Sequence, residues 1–165
     1  MIIGGQAVLL YGYPRLTKDI DLTLGIGTDQ LKLVLGVCRT LVLRVLPRNP
    51  QGFARETNVL PAEDTKSRFR IDFIFSYTPY EAQAFKRAKK VVFDGYPVKF
   101  ASLEDVMVHK MIAGRAIDEE DCRNLIAKHK QKMNIKYIEK WLETFSASTE
   151  QGKLVARFRA LLNQE

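Results

Sequence analysis

A chain of 165 residues with 46% apolar and 27% charged side chains has the composition of one ordinary globular domain, or one domain with a small appendage. Two cysteines, Cys38 and Cys122, without a C-x-x-C pair exclude a disulfide framework and a cysteine-based zinc site. The longest apolar stretch, 31–46, is broken by Lys32, Arg39 and Arg44 and cannot span a bilayer, while the net charge of +7 suits polyanions such as nucleotides, RNA or DNA.

In chain order, residues 1–3 read as the end of a strand, followed by a glycine turn and a short helix over 6–11. Ala7, Val8, Leu9 and Leu10 leave that helix almost no polar face, so burial is expected. No basic region or long apolar run opens the chain, so no signal peptide is expected and a reduced, cytoplasmic setting is. Gly12 and Pro14 stop the helix. Residues 19–24 alternate with period two and predict a strand. Gly25 and Gly27 follow, and Thr28 or Asp29 can cap a helix reaching about residue 41.

The stretch 46–66 holds three prolines and mixed charge, which predicts mostly loop with a strand near 57–60. A strand over 68–75 places Ile71, Phe73 and Phe75 on one face. A helix over 79–88 precedes strands at 91–93 and 98–100. Four helices then follow, at about 102–114, 119–130, 134–145 and 149–163. An α+β half, 1–101, thus gives way to a helical region, 102–165.

Three carboxylates carry the chemistry. Asp19 and Asp21 share one face of a strand, about 7 Å apart at the backbone. Asp72 sits in Arg70-Ile71-Asp72-Phe73-Ile74-Phe75, where an unpaired aspartate is unfavourable. If the two strands are neighbours, three acids converge. Two carboxylates 4 Å apart repel by roughly 4 kcal/mol at an effective dielectric near 20. The cluster therefore calls for a cation, and its hard oxygens suit Mg²⁺ or Mn²⁺ bridging to a phosphate. A bare D-x-D is also the ordinary look of a strand edge facing water. Gly4-Gly5 offers backbone amides that can cradle a phosphate, or is a plain tight turn.

Further along, Ser102 and Asp105 form a capping box. Lys110 falls on the apolar stripe of its helix, where its ammonium is paired, bound to phosphate or snorkelled to water. Asp118 is placed to cap the next helix, and Asp121 can complete that cap or reach Lys110 or Arg115. His109 and His129 take no catalytic assignment. Arg15 and Lys18, just before the acid pair, suit a triphosphate, an acceptor or plain surface charge. Thr17 can bond a phosphate or shape the start of the strand.

Together these residues resemble the first motif of the DNA polymerase β-like nucleotidyltransferases, and more narrowly the small bacterial AbiEii-type branch. The motif runs Gly4-Gly5-Gln6-Ala7-Val8, Tyr11-Gly12, Pro14-Arg15 and Thr17-Lys18-Asp19-Ile20-Asp21-Leu22, with Asp72 at the position of the third acid. The block Ser102-Leu103-Glu104-Asp105, 109–115 and Asp118-Glu119-Glu120-Asp121 extends the likeness over roughly residues 1–145. The resemblance implies a mixed twisted sheet with helices, and transfer of NMP from an NTP to an acceptor hydroxyl with release of pyrophosphate. It implies two Mg²⁺ or Mn²⁺ ions held by Asp19, Asp21 and Asp72, with Asp72 also assisting deprotonation of the acceptor. It further implies a nucleotide held by Gly4 and Gly5, with Arg15, Thr17, Lys18 and Lys110 as candidates beside them. The acceptor is RNA (tRNA), a partner protein or a small molecule, and a toxin–antitoxin or resistance role is in keeping with it. Only three residues precede the glycine pair, where relatives carry a helix and a fuller first strand, which leaves the first strand short and open to four readings: an exposed edge, a truncated start, a partner chain filling the gap, or reduced activity. Two other readings compete: a non-catalytic RNA- or protein-binding module, and a metal-dependent phosphohydrolase or nuclease.

Overall fold

A computed structural model describes residues 1–12, 14, 16–76, 78–148 and 153–164. Its elements run α1 (Gly4–Leu10), β1 (Asp19–Thr23), α2 (Leu31–Thr40), β2 (Leu43–Val45), α3 (Pro50–Thr57), β3 (Val59–Asp64) and β4 (Arg70–Ile74). They continue with α4 (Pro79–Arg87), β5 (Lys89–Phe93), β6 (Tyr96–Phe100), α5 (Leu103–Ala113), α6 (Ala116–His129), α7 (Ile135–Ser148) and α8 (Leu154–Leu162). Strands β1 to β4 form a sheet in the order β1-β4-β3-β2, and β5 pairs with β6 in a separate hairpin. Because β1 and β4 are parallel while β4-β3 and β3-β2 are antiparallel, the sheet is mixed, as expected.

The segment before Gly4 is not a free edge. Ile2 donates to the Lys99 carbonyl at 2.8 Å and accepts from the Ala101 amide at 2.9 Å, while Ile3 donates to the Asp21 carbonyl at 2.9 Å. One residue thereby bridges β1 to β6 and ties the hairpin to the main sheet.

Two apolar clusters hold the fold. On one face of the sheet, Leu60, Ala62, Phe73 and Phe75 pack with Leu31, Val34 and Cys38 of α2 and Ala54 of α3. The second cluster joins Ala7 and Val8 of α1 and Tyr80 and Ala84 of α4 to the interior of the C-terminal helices, including Met107, Leu125, Ile138, Leu142 and Phe158. Each fully buried side chain of this size contributes roughly 1.5–3 kcal/mol. The clusters do not divide at residue 101: α1 and α4 belong to the helical one. Among the described residues, no helix is long and apolar enough to cross a membrane.

Two further sequence expectations fail. The stretch 46–66 is not mostly loop. Pro50 is the first residue of α3, where the missing N–H costs nothing, Asn49 caps the helix by accepting from the Gly52 amide, and Asn58 closes it in the left-handed conformation. Pro61 sits inside β3, with its carbonyl accepting from Leu46 just past the end of β2, where a ladder donor is least missed. The second failure concerns α6, which begins at Ala116 rather than near 119. Asp118 is therefore not its N-cap but its third residue, accepting from the Arg115 amide at 3.3 Å.

Candidate functional site

The register of β1 against β4 sets Asp21 beside Asp72 and Asp19 beside Arg70. Side chains directly opposite one another in neighbouring strands share a face, so Asp19, Asp21 and Asp72 lie on one face, away from the α2–α3 core. The same register adds Glu63 opposite Arg70 and Arg44 opposite Glu63. This face of the sheet thus gathers Asp19, Asp21, Asp72, Arg70, Glu63 and Arg44 beside Pro61, with Thr23, Ile74 and Val59 at one end. Its far end is neutralised within itself, because Glu63 meets Arg44 at 3.0 Å and Arg68 at 2.9 Å.

At the near end, among the described residues, Arg70 pairs with Asp72 alone. Burial, followed by the charges of Asp72 and Asp19, raises the Asp21 carboxyl above its ordinary range, and Lys110 and Arg115 only partly offset this. Against Asp21 lies Gly4 at φ +62°, so close that a Cβ there would collide with the carboxylate. Gly4 is therefore fixed by steric room as well as by its left-handed backbone. The first-turn amides of α1 have no intrahelical acceptor, and Ile3 supplies no side-chain cap.

Asp72 is drawn aside by Arg70, whose Nε donates to Oδ1 at 2.8 Å. Among the described residues, no three His, Cys, Asp or Glu side chains converge tightly enough to grip an ion as they stand. The donor set nevertheless fits a hard divalent cation in kind: three carboxylates on adjacent strands, one of them held back from ionising by burial and by its two acidic neighbours.

The remaining candidates divide. Thr17 donates to the Asp19 carbonyl at 3.4 Å, shaping the start of β1. Lys18 is exposed, and its carbonyl accepts from the Arg70 amide. Gly5 is buried in α1. Arg15 lies outside the described residues. Lys110 is buried, with Nζ at 2.7 Å from Asp118 and 2.8 Å from Asp121. Burial raises the Asp118 carboxyl, but hydrogen bonds and charge from Arg115 and Lys110 outweigh it and leave Asp118 below its ordinary value. Ser102 caps α5 by accepting from the Asp105 amide at 3.2 Å, but the Asp105 carboxylate accepts from the Ser102 hydroxyl and from Tyr137 at 2.8 Å rather than from the Ser102 amide, so only half of the expected capping box forms.

Three residues of this region went unassigned from sequence. Arg70 shares a face with Asp72 by the period of the strand, a signal that was present. Glu63 fell in the stretch read as loop. Arg115, linked to Asp118 at 2.6 Å and felt by Asp21, depends on a helix start that sequence placed too late.

No protein-family model matches this sequence, and no curated protein does. Among solved structures, the chain is similar to an antigenic nucleotidyltransferase-like protein from Paracoccidioides brasiliensis. The TM-score is 0.50 at 15% identity, covering 96% of this chain and 83% of that one. It is also similar to the antibiotic-resistance factor ANT(2'')-Ia, with a TM-score of 0.48 at 18% identity, over 96% of this chain and 80% of that one. The chain has the mixed α+β fold of nucleotidyltransferase-like proteins.

Proposed function

We propose that the chain is a metal-dependent nucleotidyltransferase of the DNA polymerase β-like superfamily, in its AbiEii-type branch. It moves NMP from an NTP to an acceptor hydroxyl and releases pyrophosphate. The observation that carries this is the pairing of Asp21 with Asp72 across parallel strands, with Asp19 on the same face and Gly4 against Asp21. The nucleotidyltransferase-like name of the Paracoccidioides protein is in keeping with it.

In this reading Asp19, Asp21 and Asp72 hold Mg²⁺ or Mn²⁺, which polarises phosphoryl oxygens and neutralises developing charge when bound. The chain's own part is positioning and proton handling. Asp72, once released from Arg70, accepts the proton of the acceptor hydroxyl. The amides of Gly4 and Gly5 hold the β- and γ-phosphates. Arg15, Thr17 and Lys18 contribute to the triphosphate or to the acceptor. Lys110 reaches a phosphate only by exchanging Asp118 or Asp121 for it. Residues 1–101 act as the nucleotidyltransferase core, with 102–165 as a helical region packed on it.

The test is incubation with each α-labelled NTP, Mg²⁺ and total cellular RNA or protein, beside an Asp19→Ala/Asp21→Ala variant. Label on a macromolecule from wild type alone supports the reading; label that survives in the variant removes the acids from the mechanism. A cytoplasmic toxin–antitoxin role belongs to the same proposal and predicts growth arrest on expression of the wild type but not of that variant. The Arg70–Asp72 ion pair favours a second reading, a non-catalytic binding module on the same fold. Macromolecule binding with no label transferred under any NTP would select it.

A further inference from the structure

The sequence carries two basic runs, 86–90 and 128–140, separated by the β5–β6 hairpin and by α5 and most of α6. The fold brings them together. Arg87, at the end of α4, stacks 4.1 Å over the ring of Tyr137 in α7 and meets Glu104 at 2.5 Å. Beside this junction opens a cavity of about 410 Å³ whose lining includes Tyr11, Arg87, Lys89, Glu104, His129 and Lys132.

Tyr11 is held rigidly there. Its hydroxyl donates to the Ala101 carbonyl at 2.8 Å, and its own carbonyl lies 2.8 Å from His129 Nε2. Lys89 Nζ sits 5.5 Å from the centre of its ring. Arg87 is answered by Glu104 and, at 3.6 Å, by Asp105, whereas Lys89 and Lys132 are exposed and come from the two different runs. A merely solvating lysine face is convex and has no aromatic floor. A concave, cation-rimmed cleft with a fixed ring is the arrangement that takes a strand of phosphodiesters with an unstacked base. A duplex offers no free base face to such a ring.

The cleft also has a defined relation to the carboxylates. Tyr11 follows the C-terminal end of α1, and Gly4, against Asp21, begins it. At 1.5 Å per residue the two ends are roughly 10 Å apart. We infer that this cleft binds the backbone of a single-stranded nucleic acid and presents it to the acid face as the acceptor. The acceptor role rests on the nucleotidyltransferase reading; the binding does not.

The experiment is fluorescence anisotropy with a short labelled single-stranded RNA, titrated over a range of salt. Three variants accompany wild type: Lys89→Glu/Lys132→Glu, the charge-matched control Lys32→Glu/Lys66→Glu at exposed positions outside the cleft, and Asp19→Asn/Asp21→Asn. The cleft variant is expected to weaken binding tenfold or more. It should also flatten the slope of log affinity against log salt by about 1.4, two phosphate contacts at about 0.7 each. The control and the acid variant should bind at least as well as wild type. Equal losses in the cleft and control variants, or no loss in either, overturn the proposal. RNA binding with the expected pattern but no nucleotidyl transfer leaves the cleft standing and removes the catalytic reading. Transfer to RNA that is indifferent to the cleft variant does the reverse.

Discussion

Two carboxylate clusters lie within one small molecule, and they are built on opposite principles. Asp118 and Asp121 are buried around Lys110, with Arg115 completing the set, and Asp118 is held ionised by those cations. Asp19, Asp21 and Asp72 share a sheet face on which Arg70 pairs with Asp72, and burial, then the charges of Asp72 and Asp19, push Asp21 toward protonation against the partial offset of Lys110 and Arg115. The first cluster finds its counter-charge inside the chain. Among the described residues, the second has an ion-pair partner for Asp72 alone, in Arg70. A carboxylate group that folding leaves under-compensated is a place where positive charge is expected from outside.

Breaking the compensated cluster should have the largest effect. Lys110→Met takes the buried ammonium from between Asp118 and Asp121, at a cost of about 3–5 kcal/mol, read as a fall in Tm of roughly 10 °C. Next is Gly4→Ala, which puts a side chain into left-handed backbone at about 1–2 kcal/mol and displaces the Asp21 carboxylate. Denaturant unfolding measures the first consequence, and loss of transfer with the fold intact measures the second.

Asp21→Asn should act with the opposite sign on stability. It removes a charge the fold disfavours, so Tm holds or rises, while transfer falls by about 10²-fold or more. The pH dependence sharpens the contrast. The Asp118 value is depressed in the folded state, so its contribution is fully present above the ordinary value near 3.9. That contribution is lost as pH falls through the depressed value. The Asp21 value is raised, so its ionisation costs stability at neutral pH, and the cost is relieved as pH falls through the raised value. Unfolding free energies from neutral pH into acid should therefore show wild type ahead of Asp118→Asn, and level with or behind Asp21→Asn, with both gaps closing. The smallest effect is that of Arg70→Gln. The arginine is half exposed, so stability should change by no more than about 1 kcal/mol, while Mn²⁺ binds more tightly because Asp72 is released. Weaker Mn²⁺ binding in this variant would show that Arg70 positions Asp72 rather than occupying it.

How far the sequence could be read follows from the range of each signal. The acid face was legible because period-two alternation fixes which strand residues share a side, and Asp21 and Asp72 each sit between apolar neighbours, with Asp19 two residues before Asp21. Ser102 as a helix cap was legible for a similarly local reason. Pro50 and Pro61 misled, since proline punctuates by default and its use as a first helical residue or beside the end of a partner strand depends on surroundings. The pairing of Lys110 with Asp118 and Asp121 could be framed only as alternatives, because it needs the packing of α5 on α6. The meeting of the two basic runs was invisible, since no local pattern encodes the contact of Arg87 with Tyr137.

Titration of Mn²⁺ into the protein at neutral pH, followed by electron paramagnetic resonance, tests the central claim most directly. Wild type should show saturable binding that Asp21→Asn loses or markedly weakens, with Lys32→Glu/Lys66→Glu unchanged. Identical binding curves for wild type and Asp21→Asn would contradict the account.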